Sequence, residues 1–422
     1  AQVLIKELGL EGELGCATYI KIERNNVDEI VNNHSQNLKF KFNLEVPTDS
    51  KLLPHIYWLP KLHKNPIKFR FIIAAPNCSV KPLSKAITKI FKYFYRQIET
   101  YNAKSQFYSS IKTFWVIQNN ENVIKSINKL NCRNSAKSNK TYDFSTLYTK
   151  IPHHKLLDVL NELVDFCFQG GTHEQISVNN RYARWVSKNN KTGLRFNKKC
   201  VKDAIKYLMD NCHFTFGEKL FRQIVGIPMG SDPAPFMANL FLYHFESKWV
   251  KNLKKESLQR ARKFSHTFRF IDDLLTINDS DEFSNSFKEI YPPELQLNQE
   301  HSGDQVTFLD LQITMENGHL NTKLFDKRDD FPFSIVRLPF QCSNIPSNMF
   351  YASIGAEILR IGRVSSSTNN FLSSCRILIT RIKKQGANNF KLNKVLKKTY
   401  GRQQLLKKFG SNATEFAHKI LI

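Results

Sequence analysis

Acidic residues are missing where this chain is most basic. From Ile358 to Thr414 there is no Asp or Glu, against 13 Lys and Arg. Over all 422 residues, 62 Lys and Arg face 37 Asp and Glu, a formal charge of +25. That excess favours a polyanionic partner, of which nucleic acid is the commonest. No apolar run approaches 18 residues, so no membrane-spanning helix is expected, and no secretory signal is seen. The eight cysteines are scattered, without CxxC or Cys/His ligand spacing. This argues against a zinc site and a disulfide frame, and for reduced intracellular thiols. There are no internal repeats and no long low-complexity tract. The first residue is Ala rather than Met, as expected of a trimmed chain.

What is present is a hydrophobic content of 41% on a length that calls for two or three subdomains. Phe is frequent at 33 residues; most are expected in cores, and some could stack on bases. The most informative stretch is Phe268-Arg269-Phe270-Ile271-Asp272-Asp273-Leu274-Leu275-Thr276-Ile277. Two adjacent carboxylates interrupt an apolar, β-prone run. Burying them is costly unless they are paired or bound to a cation. Neighbouring strand residues point to opposite faces, so the pair fits the tip of a tight hairpin, offered to a divalent metal. An Asp-Asp pair alone also fits a solvated turn. Two further segments argue against that reading. Thr141-Tyr142-Asp143-Phe144-Ser145 is a second strand-like run with a central Asp. Between the two runs lies a Gly/Pro loop, Gly226 to Pro235, leading into a helix-like segment from Phe236 to Leu242.

The order and spelling of these segments resemble reverse transcriptases, most closely the Penelope-like retrotransposon branch related to telomerase. Tyr57-Trp58-Leu59-Pro60-Lys61-Leu62-His63-Lys64 with Phe69-Arg70-Phe71-Ile72 resembles that family's finger motif. Asp143 to Pro152 resembles its first palm motif, Gly226 to Pro235 its template and primer loop, Phe270 to Asp273 its metal hairpin, and Thr307 to Leu311 the strand that follows. Five motifs in order span residues 57 to 311. The segment from Leu320 to about Gly401 matches the thumb more loosely, and the first 50 residues match nothing.

The resemblance implies an α/β (α+β) right-hand polymerase, with an antiparallel palm sheet flanked by helices and a basic helical thumb. Its expected parts are an extension of unknown role (1–50), fingers (51–141), a palm (142–325, with a helical insertion at about 155–212) and a thumb (326–422). The implied activity is RNA-directed DNA polymerisation by two-metal nucleotidyl transfer. The implied partners are a template RNA, a primer or target DNA and dNTPs, and the implied location is nuclear. Asp143, Asp272 and Asp273 are the implied ligands of two Mg²⁺ ions, with Mn²⁺ as a substitute, although in the family the position of Asp273 often supports rather than ligates. The backbone carbonyl of Phe144 could complete the second metal site.

Tyr148 stands where these enzymes carry an aromatic gate against a ribose 2′-hydroxyl; a core aromatic is its other reading. Lys64, Lys68 and Arg70 would clamp the triphosphate, for which the guanidinium fork is well shaped. Gly230 and Ser231 would let backbone approach nucleotide and template closely. Met229 replaces a common polar Gln. His301 is a candidate to protonate the leaving pyrophosphate, with a surface-loop histidine as its other reading, and Asp310 is expected to be structural or near the primer. The nicking-nuclease signature of many Penelope-like elements, Gly-Ile-Tyr…Tyr-Ile-Gly, does not occur, so this chain should polymerise but not nick. The rival readings are an RNA-templated RNA polymerase and a catalytically silent nucleic-acid scaffold.

Among local elements, the prolines at 54, 60, 66 and 76 favour extended segments. Helices are expected at Lys81–Tyr101, with Pro82 in the first turn, and at Phe107–Leu130, His153–Phe168, Asn197–Asn211 and Asp281–Tyr291. A polar loop is expected from Gly170 to about Asn190. Hairpins are expected at His213–Val225 and at Val306–Phe325, the latter turning at Asn317-Gly318.

Overall fold

A computed structural model describes residues 18–23, 27–50, 52–62, 67–145, 147–169, 174–187, 193–279, 281–410 and 412–421. Its strands form four sheets. A five-stranded sheet runs in the order Tyr19–Ile22, Lys219–Gln223, His213–Phe216, His55–Lys61, Lys68–Ala74. A four-stranded sheet takes Thr267–Phe270, Asp273–Ile277, Asn139–Phe144 and Leu297–Ser302. Two three-stranded sheets are Gln305–Phe308, Leu311–Glu316, His319–Leu324 and Ala183–Val186, Gln175–Val178, Leu194–Asn197. By its internal contacts the chain divides into two compact units. The first comprises Ala1–Val116, Asp143–Asp272 and Asp281–Asn298; the second comprises Ile117–Tyr142, Asp273–Ser280 and Gln299–Ile422.

In the first unit the five-stranded sheet closes over Tyr19, Ile56, Ile73, Phe214 and Phe221. The hairpin His55–Lys61 with Lys68–Ala74 is antiparallel and in register from His55 opposite Ala74 to Lys61 opposite Lys68. Four helices pack on one another: Lys81–Ser109, His153–Gln169, Lys198–Asp210 and Ala234–Glu256. Local chemistry marks their ends. Pro82 sits in the first turn of Lys81–Ser109, where its missing N–H costs nothing, and Ser110 ends that helix in the left-handed region at φ 55°. The Asn197 side chain caps Lys198–Asp210 by accepting from the Cys200 amide at 2.8 Å.

The second unit is built on helices Ser347–Val364, Thr368–Lys384, Asn389–Tyr400, Gln403–Phe409 and Ala413–Leu421. Their shared core is aromatic: Phe371 stacks on Phe409 with centroids 4.4 Å apart, and Tyr400 on Phe416 at 4.2 Å. Ser367 and Asn388 cap two of these helices. The sheet Gln305–Leu324 joins the helices through Thr322, whose hydroxyl donates to the Val364 carbonyl at 2.6 Å. No described helix is long and apolar enough to cross a membrane.

Several expectations meet the structure as drawn. The helices at His153, Asn197 and Asp281, the hairpin at His213 and the turn at Asn317-Gly318 are all present. The helix from Lys81 runs eight residues past Tyr101. Others are corrected. Phe107–Leu130 is not one helix: after Ser110 the chain is extended, Ile111 and Phe114–Ile117 are buried, and a helix resumes only at Glu121. Consecutive apolar residues in that stretch suit a segment buried on both sides, and Val116 bridges Arg269 in parallel. The polar loop after Gly170 contains strands Gln175–Val178 and Ala183–Val186. Each has only four residues, too few to show a period, yet Ile176, Val178, Ala183 and Val186 are buried. Val306–Phe325 holds three strands, because a further turn falls at Leu309-Asp310. Tyr19–Ile22 is a strand that the sequence pattern did not suggest. The start of the polar loop, Gly170-Gly171, where the preceding helix is expected to stop, lies outside the described residues.

Candidate active site

The strand Asn139–Phe144 and the turn before Asp273 carry the two candidate acids. The Phe144 amide donates to the Asp272 carbonyl at 3.2 Å, so Asp143 and Asp272 stand on neighbouring segments of the first unit. The next amide, Ser145, donates to the Gln296 carbonyl at 3.2 Å. Phe144 is buried, its ring edge-on to Tyr291 at 4.9 Å. Asp143 and Asp272 are half-buried. Burial raises the Asp272 pKa above the ordinary carboxylate value, while the charges of Arg70, Lys61 and Arg269 pull it down. Asp273 opens the following strand and belongs to the second unit.

Ile271, at the turn, has φ 56°. A β-branched residue in the left-handed region is strained, at a cost of order 1–3 kcal/mol. Arg269, two residues earlier, holds it there: Nη1 donates to the Ile271 carbonyl at 3.0 Å and to Asn239 Oδ1 at 2.8 Å. The guanidinium is 0% exposed and pairs with Glu246, also 0% exposed, at 2.5 and 3.1 Å. Tyr291 donates to the same carboxylate at 2.9 Å. Burial and the neighbouring Glu246 charge raise the Tyr291 hydroxyl well above its usual range, so it stays a donor. Lys112 donates to the Thr267 carbonyl at 2.6 Å and sits 3.7 Å from the centre of the Phe268 ring. Sequence reading missed this network. Arg269 and Glu246 lie 23 positions apart, and the available signal was Arg269, a charge inside an apolar run.

The Gly/Pro loop is fastened at several points. The Gly226 amide donates to the Ile151 carbonyl and the Ile227 amide to the Tyr148 carbonyl, each at 2.8 Å. A Cβ on Gly226 would meet the Tyr148 carbonyl at 2.3 Å, and its φ is +87°. Gly230, at φ +108°, would meet the Ile73 carbonyl at 2.3 Å, and the Ile73 amide donates to the Met229 carbonyl at 2.7 Å. Within the chain, then, the close approach that Gly230 permits is to the strand Lys68–Ala74. Asp232 fixes the loop to the helix from Lys81 through Lys81 and Ser84, both at 2.9 Å. Ser231 is half-buried beside it.

Tyr148 is half-buried, and its hydroxyl pKa is pushed up to about 12 by burial and by the Asp272 charge. Arg70 opposes that shift and is itself exposed, opposite Leu59 in the hairpin. Tyr148, Arg70 and Asp272 therefore share one electrostatic neighbourhood. Lys61, which acts on Asp272 too, was not singled out from the sequence. Lys68 faces Lys61 by backbone register, but its side chain, like all of Lys64, lies outside the described residues. His301, in the second unit, is exposed on the strand Leu297–Ser302 rather than on a loop. Asp310 is tied to Asn120 at 2.5 Å and Arg360 at 3.0 Å, as a structural residue would be.

Among the described residues no three His, Cys, Asp or Glu side chains form a group that could hold a metal ion. Mg²⁺ does not require one, since it is commonly held by one or two carboxylates with water and substrate phosphates. Two half-buried carboxylates on neighbouring segments, Asp143 and Asp272, fit that habit, and the cationic neighbours of Asp272 offset its burial only in part.

No family model and no curated protein matches the sequence. Solved structures do. Telomerase from Candida albicans, in complex with a TWJ fragment of telomeric RNA, superposes with a TM-score of 0.59 at 12% identity, covering 93% of this chain and 67% of that one. Apo telomerase from Candida tropicalis gives 0.46 at 14% identity, covering 95% and 71%. The BmCPV RNA-dependent RNA polymerase at its elongation state gives 0.45 at 13%, covering 80% and 27%. The last two overlaps are too loose to carry weight. The first shows the fold and, at 12% identity, the fold alone: a mixed α/β chain of the right-hand polymerase kind.

Proposed function

We propose that this chain is a template-directed nucleotidyl transferase, specifically an RNA-directed DNA polymerase of the Penelope-like kind. The observation that carries the reading is the hydrogen bond from the Phe144 amide to the Asp272 carbonyl, which sets two Asp-bearing segments side by side. The reaction is attack of a primer 3′-hydroxyl on the α-phosphate of a dNTP, with pyrophosphate leaving. Asp143 and Asp272, with the Phe144 carbonyl and Asp273 in support, would hold Mg²⁺, or Mn²⁺ in its place. Bound there, the cations supply positive charge to the entering and leaving oxygens.

The chain's own residues do the remainder. Arg70, with Lys61, Lys64 and Lys68, receives the triphosphate. Tyr148 lies against the sugar and disfavours a 2′-hydroxyl. The loop Gly226–Pro235 carries nucleotide and template past Gly230 and Ser231. Residues 51–141 act as fingers, 142–325 as palm and 326–422 as a thumb whose lysines and arginines take duplex phosphates without sequence preference. The template is RNA and the primer DNA, and the work is done on chromosomal DNA in the nucleus. Primer extension on an RNA template with Mg²⁺ tests the reading. The parent should extend, and Asp272→Asn should not while still binding template–primer; a parent chain that never extends, or an Asp272→Asn chain that does, overturns it.

A further inference from the structure

The first unit has a second basic surface, built by three helices and unused above. His153–Gln169 and Ala234–Glu256 line an open groove of about 660 Å³, and Lys81–Ser109 meets its edge through Tyr101, which packs on Phe166. Leu163, Phe166 and Tyr243 line it, and Lys248, Lys251 and Lys255 stand along it. Those lysines recur at i, i+3 and i+7, so they form one row about 10 Å long on a single helix face. All three are exposed, and none makes an ion pair among the described residues. The one acid at the groove, Glu162, lies 3.7 Å from His244.

Aromatic faces accompany the charge. Phe166 and Tyr101 meet edge-to-face at 5.2 Å, both partly open to solvent, with the Lys251 ammonium 5.9 Å from the Tyr101 ring. Two helical turns beyond Tyr101 on the same face is Tyr108, 86% exposed, beside Phe107 at 83%. Large rings left this bare are costly in water and call for a partner.

We infer that this groove binds a single-stranded nucleic acid, with phosphates along the Lys248–Lys251–Lys255 row and bases against Phe166, Tyr101 and Tyr108. Alternating cations and open ring faces are the recurring design of sequence-tolerant single-strand sites. A duplex hides its base faces and would use only the lysines. An acidic peptide would also use the lysines but has no flat partner for the rings. The inference does not depend on polymerase activity, since none of these residues belongs to the candidate active site.

The test uses the full chain carrying Asp272→Asn and a fluorescein-labelled 12-nucleotide oligouridine bearing 4-thiouridine, with a 12-base-pair duplex as control. Irradiation should crosslink the oligouridine to peptides containing Tyr101, Phe166 or Lys248–Lys255. Reversing three charges with Lys248→Glu, Lys251→Glu and Lys255→Glu should remove those crosslinks. It should also flatten the salt dependence of single-strand affinity by about 2 in log–log slope, at roughly 0.7 per lost phosphate contact. The triple Lys→Arg variant should keep both, and Phe166→Ala should weaken oligouridine several-fold while leaving the duplex unchanged. Unfolding midpoints confirm that each variant is folded. Crosslinks confined to other peptides, an unchanged slope in the triple Glu variant, or protection of these peptides by oligoglutamate but not oligouridine would overturn the inference.

Discussion

Two tight turns in this chain solve the same backbone problem with opposite means. At Asn317-Gly318 both residues have positive φ, 50° and 76°, and both types tolerate it. A Cβ at Gly318 would meet the Asn134 carbonyl at 2.8 Å, so glycine is needed for space as well as for φ. At Ile271-Asp272 the left-handed residue is isoleucine, the wrong type for the conformation, and a buried Arg269–Glu246–Tyr291–Asn239 network grips its carbonyl side. The first turn is specified locally by its own residues. The second is imposed from below, and strain imposed in this way is a mark of a site where geometry matters more than stability.

The sharpest break in the comparison is chemical. Asp272→Asn or Asp143→Asn should cut primer extension by on the order of 10²–10³-fold or more, the scale for deleting one electrostatic partner of a transition state. Stability should hold or rise, because Asp272 is a partly desolvated acid. Substitutions at Asn317-Gly318 should leave the rate per folded molecule unchanged; steady-state extension beside thermal unfolding separates the two. A Gly318 variant that loses rate without losing stability would erase the distinction between the turns.

The next effect is on the network. Arg269→Met leaves Glu246 buried and uncompensated and should destabilise the fold by about 3–5 kcal/mol in urea unfolding. Adding Glu246→Leu should recover much of that stability, since an apolar pair can replace a buried ion pair at little cost. Extension should stay low, because nothing then grips the Ile271 carbonyl. Recovery of rate along with stability would reduce the network to a packing device. A smaller contrast concerns strain itself. Ile271→Gly should relieve about 1 kcal/mol of left-handed backbone cost, whereas Asn317→Gly should be near neutral.

How much of this was legible beforehand follows from the same contrast. Asn317-Gly318 was readable because its turn chemistry is carried by two adjacent residues. The hairpin at Asp272 was readable because carboxylates stand out in an apolar run, and Asp143 because its own run has the same form. The network was not, since Arg269, Glu246, Asn239 and Tyr291 are brought together only by folding. The strands at Gln175 and Ala183 were hidden for a different reason: each is too short for a period, and their burial depends on partners such as Phe168, whose ring meets Trp185 at 4.7 Å. Phe114–Ile117 misled because a continuous apolar run has no period that separates helix from buried extended chain.

A last contrast is a dependence on pH. Lys112 supports the strand leading to Ile271 through the Thr267 carbonyl. Burial lowers its pKa from 10.5 to about 7, with Glu246 pulling the other way. Below pH 7 the lysine is protonated in both folded and unfolded chains, and the full cost of burying the cation is present. Between pH 7 and 10.5 the folded chain has released the proton and the unfolded chain still holds it. The unfolded state then binds more protons, so this residue's contribution to stability rises with pH across that window. Lys112→Met lacks the titration. The stability of the parent relative to Lys112→Met should therefore be flat below about pH 6 and climb from about pH 7 toward 10, measured by urea unfolding at each pH. A Gly318→Ala reference, at the turn that depends on its own residues, should show a pH-independent offset. A parallel rise in both differences would place the titrating group elsewhere and leave the Ile271 turn no more dependent on buried charge than its counterpart.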